Sequence, residues 1–374
     1  MRIRKHIART AILSVGLLTA CNKGSDNLLS ALDPCISGRN SEAYPQSGNI
    51  ECLHRLETGS LGFQASESTR AVQFANDSAT LYTLSTYVQQ WQVATGEEIP
   101  TDTPVQHTDL DADDFLHYSP TRGYVGFSES RRVYTDVVAS TPLLEVQGSG
   151  YPKVAYIDGM DMFAGYDSSA LYFYDRTTGQ LISDQPIEQG IDRVVGGQAS
   201  YATAVSDFRV VIWPIDEAQP GLVLTGHEAK VVEMAYSDAE TRLASVDAAG
   251  NLIVWDLSTG EPQLQLQIDM SPAVPAATVA FSPDNQLLVA NGQGPEITFW
   301  SLASGDAIAQ ITIAKFGILD LDISPDGSKL AVGLSFGGKY DQNGRQQAQD
   351  ATRVDPHLLE AGPAVIFDIA GVKP

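Results

Sequence analysis

Between Gly226 and Glu261 the chain reads GHEAKVVEMAYSDAETRLASVDAAGNLIVWDLSTGE. Two apolar runs stand out, Val231 to Tyr236 and Leu252 to Trp255. A polar hairpin from Ser237 to Arg242 and a turn from Asp247 to Asn251 separate the strand-like stretches. Apolar and polar positions that alternate in runs about ten residues apart predict several short strands, and hence an all-β sandwich, barrel or propeller.

The same ending recurs along the chain. Aromatics that close each unit stand at Trp91, Tyr134, Tyr174, Trp213, Trp255, Trp300 and Phe367, the first six spaced 43, 40, 39, 42 and 45 residues apart. The last interval is 67. It fits one more unit carrying an insertion of roughly 25 residues, given a period of about 40–45 for four-stranded units. A second mark precedes the aromatic: Tyr118-Ser119-Pro120, Phe281-Ser282-Pro283-Asp284-Asn285 and Ile323-Ser324-Pro325-Asp326-Gly327. Proline followed by Asp and then Gly or Asn favours a tight hairpin. An evenly spaced sandwich has no reason to repeat an aromatic–polar–Thr–Gly ending at Trp91, Tyr174 and Trp255, or its Ala-Ser-Gly form at Trp300.

The frame from Gly226-His227 to Trp255-Asp256 resembles a WD repeat, one blade of a β-propeller. The fold expected is therefore all-β, a seven-bladed WD-repeat-like β-propeller. After Phe367 only Asp368 to Pro374 remain, so the seventh blade is expected to lack its own fourth strand. The alternating stretch Ile50 to Glu57 is expected to supply it, closing the ring and removing an unpaired sheet edge. In the family the histidine bonds to a Ser or Thr, to the Trp and to a turn Asp. The resemblance places His227, Ser245 and Trp255 in that structural network. Ala249 stands at the Asp position, with Asp247 two residues earlier.

The start of the chain has a different pattern. Arg2, Arg4, Lys5 and Arg9 precede an apolar segment, Ala11 to Leu18, that is too short to span a bilayer. Leu18-Thr19-Ala20-Cys21 resembles a bacterial lipobox, which implies cleavage before Cys21 and lipidation of its sulfur. Asn22 in place of Asp favours the outer membrane over the inner. The expected organisation is a signal peptide at 1–20, a flexible tether at 21–48 and a single propeller at 49–374, with an insertion at about 337–362 in the last blade. Cys35 and Cys52 complete the cysteines and form a candidate disulfide in an exported protein. It would close a loop of about 17 residues and contribute roughly 3 kcal/mol on the chain-entropy view.

The chain carries 23 Lys and Arg against 46 Asp and Glu, a net charge of −23. Such a surface repels phosphate backbones, so nucleic acid is not an expected partner. It offers no basic patch to anionic lipids, so membrane attachment is expected through the N-terminal lipid alone.

No catalytic set emerges. The six histidines show no metal-ligand spacing, and no nucleophile elbow or phosphate loop appears; no cofactor is expected. Asp109, Asp111, Asp113 and Asp114 form an acidic loop, a candidate partner-binding or weak calcium site. It departs from a calcium-binding EF-hand loop at Asp114, where Gly is needed, and at Pro120, where Glu is needed. The insertion near 337–362 is polar and a second candidate binding loop. In a four-stranded antiparallel blade, connections between second and third strands leave by the same rim as connections between blades, so both segments are expected on one rim. The function expected is a non-catalytic, lipid-anchored, monomeric scaffold that binds an unidentified protein of the bacterial envelope, facing the periplasm. The alternative is a propeller enzyme of lactonase or hydrolase type with a polar site at the central channel.

Overall fold

The computed structural model describes residues 50–56, 69–85, 88–100, 116–119, 124–129, 132–134, 143–146, 153–187, 190–216, 220–270, 277–292, 294, 296–313, 317–335, 339–340, 346–347 and 364–374. Most of their strand residues belong to seven four-stranded antiparallel sheets. In chain order, sheet 1 holds Ala71–Phe74, Thr80–Leu84, Val88–Gln92 and Glu97–Ile99, and sheet 2 holds Leu116–Ser119, Tyr124–Glu129, Arg132–Tyr134 and Leu144–Glu145. Sheet 3 holds Lys153–Ile157, Met162–Tyr166, Ala170–Asp175 and Leu181–Pro186, and sheet 4 holds Ile191–Gly196, Ser200–Val205, Val210–Pro214 and Leu222–Leu224. Sheet 5 holds Val231–Tyr236, Arg242–Asp247, Asn251–Asp256 and Glu261–Gln267, and sheet 6 holds Thr278–Phe281, Leu287–Asn291, Glu296–Ser301 and Ala307–Thr312. Sheet 7 is built from Gly317–Ile323, Lys329–Ser335, Ala364–Asp368 and, from the other end of the sequence, Glu51–Leu56. Among the described residues the helical content is one short 3₁₀ turn, Asp158–Met160, and none of their helices is long and apolar enough to cross a membrane.

Turn chemistry sets this register. Ser282 Oγ donates to Asp284 Oδ1 (2.5 Å) and accepts from Leu287 N (2.9 Å). Ser324 repeats this with Asp326 Oδ1 (2.6 Å) and Lys329 N (2.9 Å). Each turn needs a left-handed residue, supplied by Asn285 at φ +56° and Gly327 at φ +71°. The endings after the third strands use glycine in the same conformation at Gly96, Gly179, Gly260 and Gly305. The aromatics at 91, 134, 174, 213, 255, 300 and 367 all lie on third strands, paired with Leu81, Phe127, Phe163, Tyr201, Leu243, Leu288 and Leu330.

The core lies between sheets. Apolar side chains of sheets 3 and 4 mix in one cluster, those of 4 and 5 in another, and likewise 5 with 6 and 6 with 7. Leu56, Ala331 and Ile366 of sheet 7 meet Val72, Phe74 and Trp91 of sheet 1, and Val133 and Leu144 of sheet 2 meet Val154 and Phe163 of sheet 3. A strand pattern with both faces apolar follows from this, as in Leu252 to Trp255, where all four residues are buried. The whole is consistent with a β-propeller.

Glu51–Leu56 pairs antiparallel with Ala364–Asp368, from Glu51 opposite Asp368 to Leu56 opposite Ala364. Both the N-terminal and C-terminal stretches thus belong to one sheet. Cys52, in this strand, is disulfide-bonded. Cys21, Cys35, the lipobox, the tether and the acidic loop at Asp109 to Asp114 lie outside the described residues. Of the insertion, only a two-stranded pair is described, Lys339–Tyr340 with Gln346–Gln347.

Candidate functional site

The GH…WD stretch brings His227, Ser245 and Trp255 together. Trp255 Nε1 donates to Ser245 Oγ at 2.8 Å, and His227 Nε2 lies 2.6 Å from the same oxygen. His227 Nδ1 lies 3.1 Å from Asp247 Oδ2. The indole N–H can only donate. Ser245 therefore accepts from Trp255; the ionised Asp247 can only accept, so the proton of a neutral imidazole sits on Nδ1 and Nε2 accepts from the Ser245 hydroxyl. Each of these linked polar atoms is matched with a neutral imidazole. The side chains of His227 and Asp247 are 1% and 0% exposed.

The carboxylate of this network is Asp247. Ala249 offers none, but its N–H donates to Asp247 Oδ1 at 2.9 Å, as does that of Asn251 at 3.0 Å, and Asn251 Nδ2 reaches Oδ2 at 2.8 Å. Gly250, at φ +87°, folds the turn back over the carboxylate. Burial pushes the Asp247 carboxyl upward, but the hydrogen bonds from Asn251 and His227 outweigh it and hold the group below the usual range. Burial also dominates at His227 and lowers its pKa, against the opposing pull of Asp247. A buried, fully bonded imidazole with no open face holds a turn in place; nothing here offers it a substrate.

Parts of the network recur. Trp91 Nε1 donates to Thr83 Oγ1 at 2.9 Å, and Trp213 Nε1 to Thr203 Oγ1 at 3.0 Å. Each acceptor sits two residues beyond the tryptophan's pairing partner, as Ser245 does.

A second polar cluster joins first strands of separate sheets. Arg193 of sheet 4 pairs with Glu233 of sheet 5 at 2.6 Å, and Lys230 with Asp192 at 2.9 Å. On sheet 7, Asp320 Oδ2 accepts Val72 N at 2.9 Å and Asp322 Oδ2 accepts Phe74 N at 2.6 Å, both from sheet 1. Burial raises the Asp320 carboxyl to about 7, with the Glu233 charge adding and Arg193 opposing. Asp322 is pushed well above the usual range by burial, with the Asp320 charge adding. Arg193, Glu233 and Asp320 each follow a register shift in their strand, so they occupy equivalent places in three sheets. Nothing local in the sequence links residues 193, 233 and 320; only the repeat register could have aligned them. Among the described residues no group of three His, Cys, Asp or Glu is placed to hold a metal ion.

Comparison with known proteins adds to this geometry. Residues 218–256 match the family described as "WD domain, G-beta repeat". Human "Apoptotic protease-activating factor 1" is 27% identical over 132 residues, 34% of this chain and 10% of that protein. "Actin-interacting protein 1" of Drosophila melanogaster is 34% identical over 144 residues, 38% of this chain and 23% of that protein. "Guanine nucleotide-binding protein subunit beta" of Saccharomyces cerevisiae is 24% identical over 98 residues, 26% of this chain and 22% of that protein. The chain thus spans less than a quarter of the length of each of these relatives. With the geometry at His227, Ser245 and Trp255, these matches support a WD-repeat family for this chain.

Proposed function

We propose that this chain is a protein-interaction scaffold, a closed seven-bladed propeller presenting loops on a rigid frame. One observation carries the reading: the two longest departures from the repeat, residues 101–115 and 336–363, join strands whose connections leave by the same rim. Residues 101–115 run from the fourth strand of sheet 1 to the first strand of sheet 2, and 336–363 from the second strand of sheet 7 to the third. Loops that a rigid frame carries without needing them are common places for binding residues. The similarity to WD-repeat proteins, among them one whose name marks it as actin-interacting, fits this kind of role. The partner proposed is a protein of the bacterial envelope, with this chain held at the outer membrane, periplasmic side, by lipid on Cys21 and its tether pinned by a Cys35–Cys52 disulfide.

Replacing residues 339–359 with a short Gly-Ser linker should leave the thermal transition unchanged and reduce the yield of proteins cross-linked to the chain in cells. An unchanged set of captured proteins at full yield would move the site away from this rim. The enzyme reading would rest on the cluster of Arg193, Glu233, Asp320 and Asp322. It is the weaker one, because these carboxylates already hold Arg193 and the N–H groups of Val72 and Phe74.

A further inference from the structure

Sheet 6 breaks the pattern that the other tryptophan-bearing sheets keep. In sheets 1, 4 and 5 the third-strand tryptophan gives its N–H to Thr83, Thr203 or Ser245. Trp300 pairs with Leu288, so the matching position is Ala290, which has no side-chain acceptor. Trp300 is nonetheless 7% exposed. No hydrogen bond of its indole is found among the described residues. Two residues before the tryptophan, sheets 4 and 5 carry buried Val211 and Ile253; sheet 6 carries Thr298, half-buried.

These exchanges leave a cavity of about 360 Å³ between sheets 5 and 6. Trp300, Thr298, Glu296 and Gln310 line it from sheet 6, and Gln267 and Asp269 from the end of sheet 5. Its size is at the lower end of the range for small-molecule sites. Two of its six polar or aromatic groups are carboxylates, and no Lys or Arg among the described residues lines it. Burial raises the Glu296 carboxyl, and the Asp269 charge adds to the rise. A cation placed there would relieve both effects, and an indole is the best of the aromatic surfaces for an ammonium group.

We propose that the cavity beside Trp300 is a binding site for a compact primary ammonium group, held by Glu296 and Asp269 against the indole. A free alkylamine and a lysine side chain both carry this group; the chemistry recognised is the same. Ligand binding draws Glu296 into its ionised form, so affinity falls as pH is lowered and Glu296 takes up a proton.

The chain has four tryptophans, so indole ¹⁵N spectra resolve Trp300 once Trp300→Phe has assigned it. Titration of the full chain with n-butylammonium should move this resonance saturably, with Kd below about 10 mM, while 1-butanol, its neutral counterpart, should not. Glu296→Gln should weaken binding about tenfold or more, and the wild type should bind more weakly at pH 5 than at pH 7.5. Thr298→Ile, which gives sheet 6 the residue that sheet 5 carries, should fill the cavity and abolish the shift in a folded protein. The peptide Gly-Lys-Gly binding more tightly than butylammonium would mark a partner's lysine as the source, and the reverse order a free amine. Absence of saturation, an equal response to 1-butanol, or unaltered binding by folded Glu296→Gln and Thr298→Ile would each overturn the proposal.

Discussion

Ser245 holds two partners where Thr83 and Thr203 hold one. Removing its hydroxyl strands the Trp255 N–H and the His227 Nε2 together, both buried. Ser245→Ala should therefore cost about 1–3 kcal/mol, and Thr83→Ala or Thr203→Ala about 0.5–1.5 kcal/mol, read from urea midpoints at constant slope. Equal losses in all three would mean that His227 adds nothing at this site. The imidazole also fixes a pH response. Its folded pKa lies below the unfolded value of about 6.5, so the unfolded chain binds the extra proton first. The stability it contributes is complete above about 6.5 and is lost as pH falls through the folded value. His227→Gln should flatten the stability profile in that window; a slope as steep as wild type would assign it to other groups. His227, Ser245 and Trp255 were legible in the sequence because the repeat fixes their spacing. The carboxylate partner was not, because spacing alone points to Ala249. Asp247 serves because the tight turn at Gly250 brings the N–H groups of Ala249 and Asn251 onto its carboxylate while leaving its second oxygen for His227.

First strands carry polar contacts between sheets, and the buried charges of Asp320 and Asp322 oppose folding as pH rises. Asp320, raised to about 7 by burial, has a folded pKa above its unfolded value. It favours the folded state fully below the unfolded value of about 3.9, and that contribution is lost as pH rises through about 7. Asp320→Asn keeps an oxygen for Val72 N and removes the buried charge. It should raise the urea midpoint at pH 8 and leave it nearly unchanged at pH 4. A lower midpoint at pH 8 would show that the ionised carboxylate is worth more to Val72 and Arg193 than its desolvation costs. At the edge of the same sheet, Glu51–Leu56 occupies the outer position and buries Leu56 completely. Deleting residues 50–57 should cost more than Leu56→Ala, itself about 2–5 kcal/mol, whereas deleting residues 23–30 should leave thermal stability unchanged. Equal transitions in the two deletions would remove the strand's structural role. The strand pattern, the aromatic on each third strand and the pairing of residues 51–56 with the C-terminal strand could all be read from local alternation and period. The cluster at 193, 233 and 320 and the cavity beside Trp300 could not. They arise where separate sheets meet, and they depend on which repeat positions depart from the common residue, such as Ala290 and Thr298.

At the scale of the whole molecule, charge decides how the chain can be held at a membrane. With 46 acidic side chains against 23 basic ones, the field around the protein repels anionic lipid as it repels nucleic acid. Removal of residues 1–20 would take away Arg2, Arg4, Lys5 and Arg9 and sharpen the imbalance. Net charge thus disfavours electrostatic attachment to anionic lipid, and the covalent lipid proposed at Cys21 would supply the anchor. Acyl chains contribute about 0.8 kcal/mol per buried CH₂, and stable anchoring takes more than one chain. A diacylglycerol thioether meets that condition without help from the protein surface. Cys21→Ser should accordingly abolish processing at that site and leave the folded domain no membrane affinity of its own. Once residues 1–20 are removed from this variant by an engineered protease site, it should appear wholly in the soluble fraction, at low and high salt alike, because screening over a Debye length of about 8 Å has no attraction to weaken. Metabolic labelling with palmitate should mark the wild type and miss the variant. A cleaved variant that sediments with membranes and is released by salt would instead locate a basic surface that composition does not predict. A variant processed and labelled as the wild type is would show that Cys21 is not the lipidated residue.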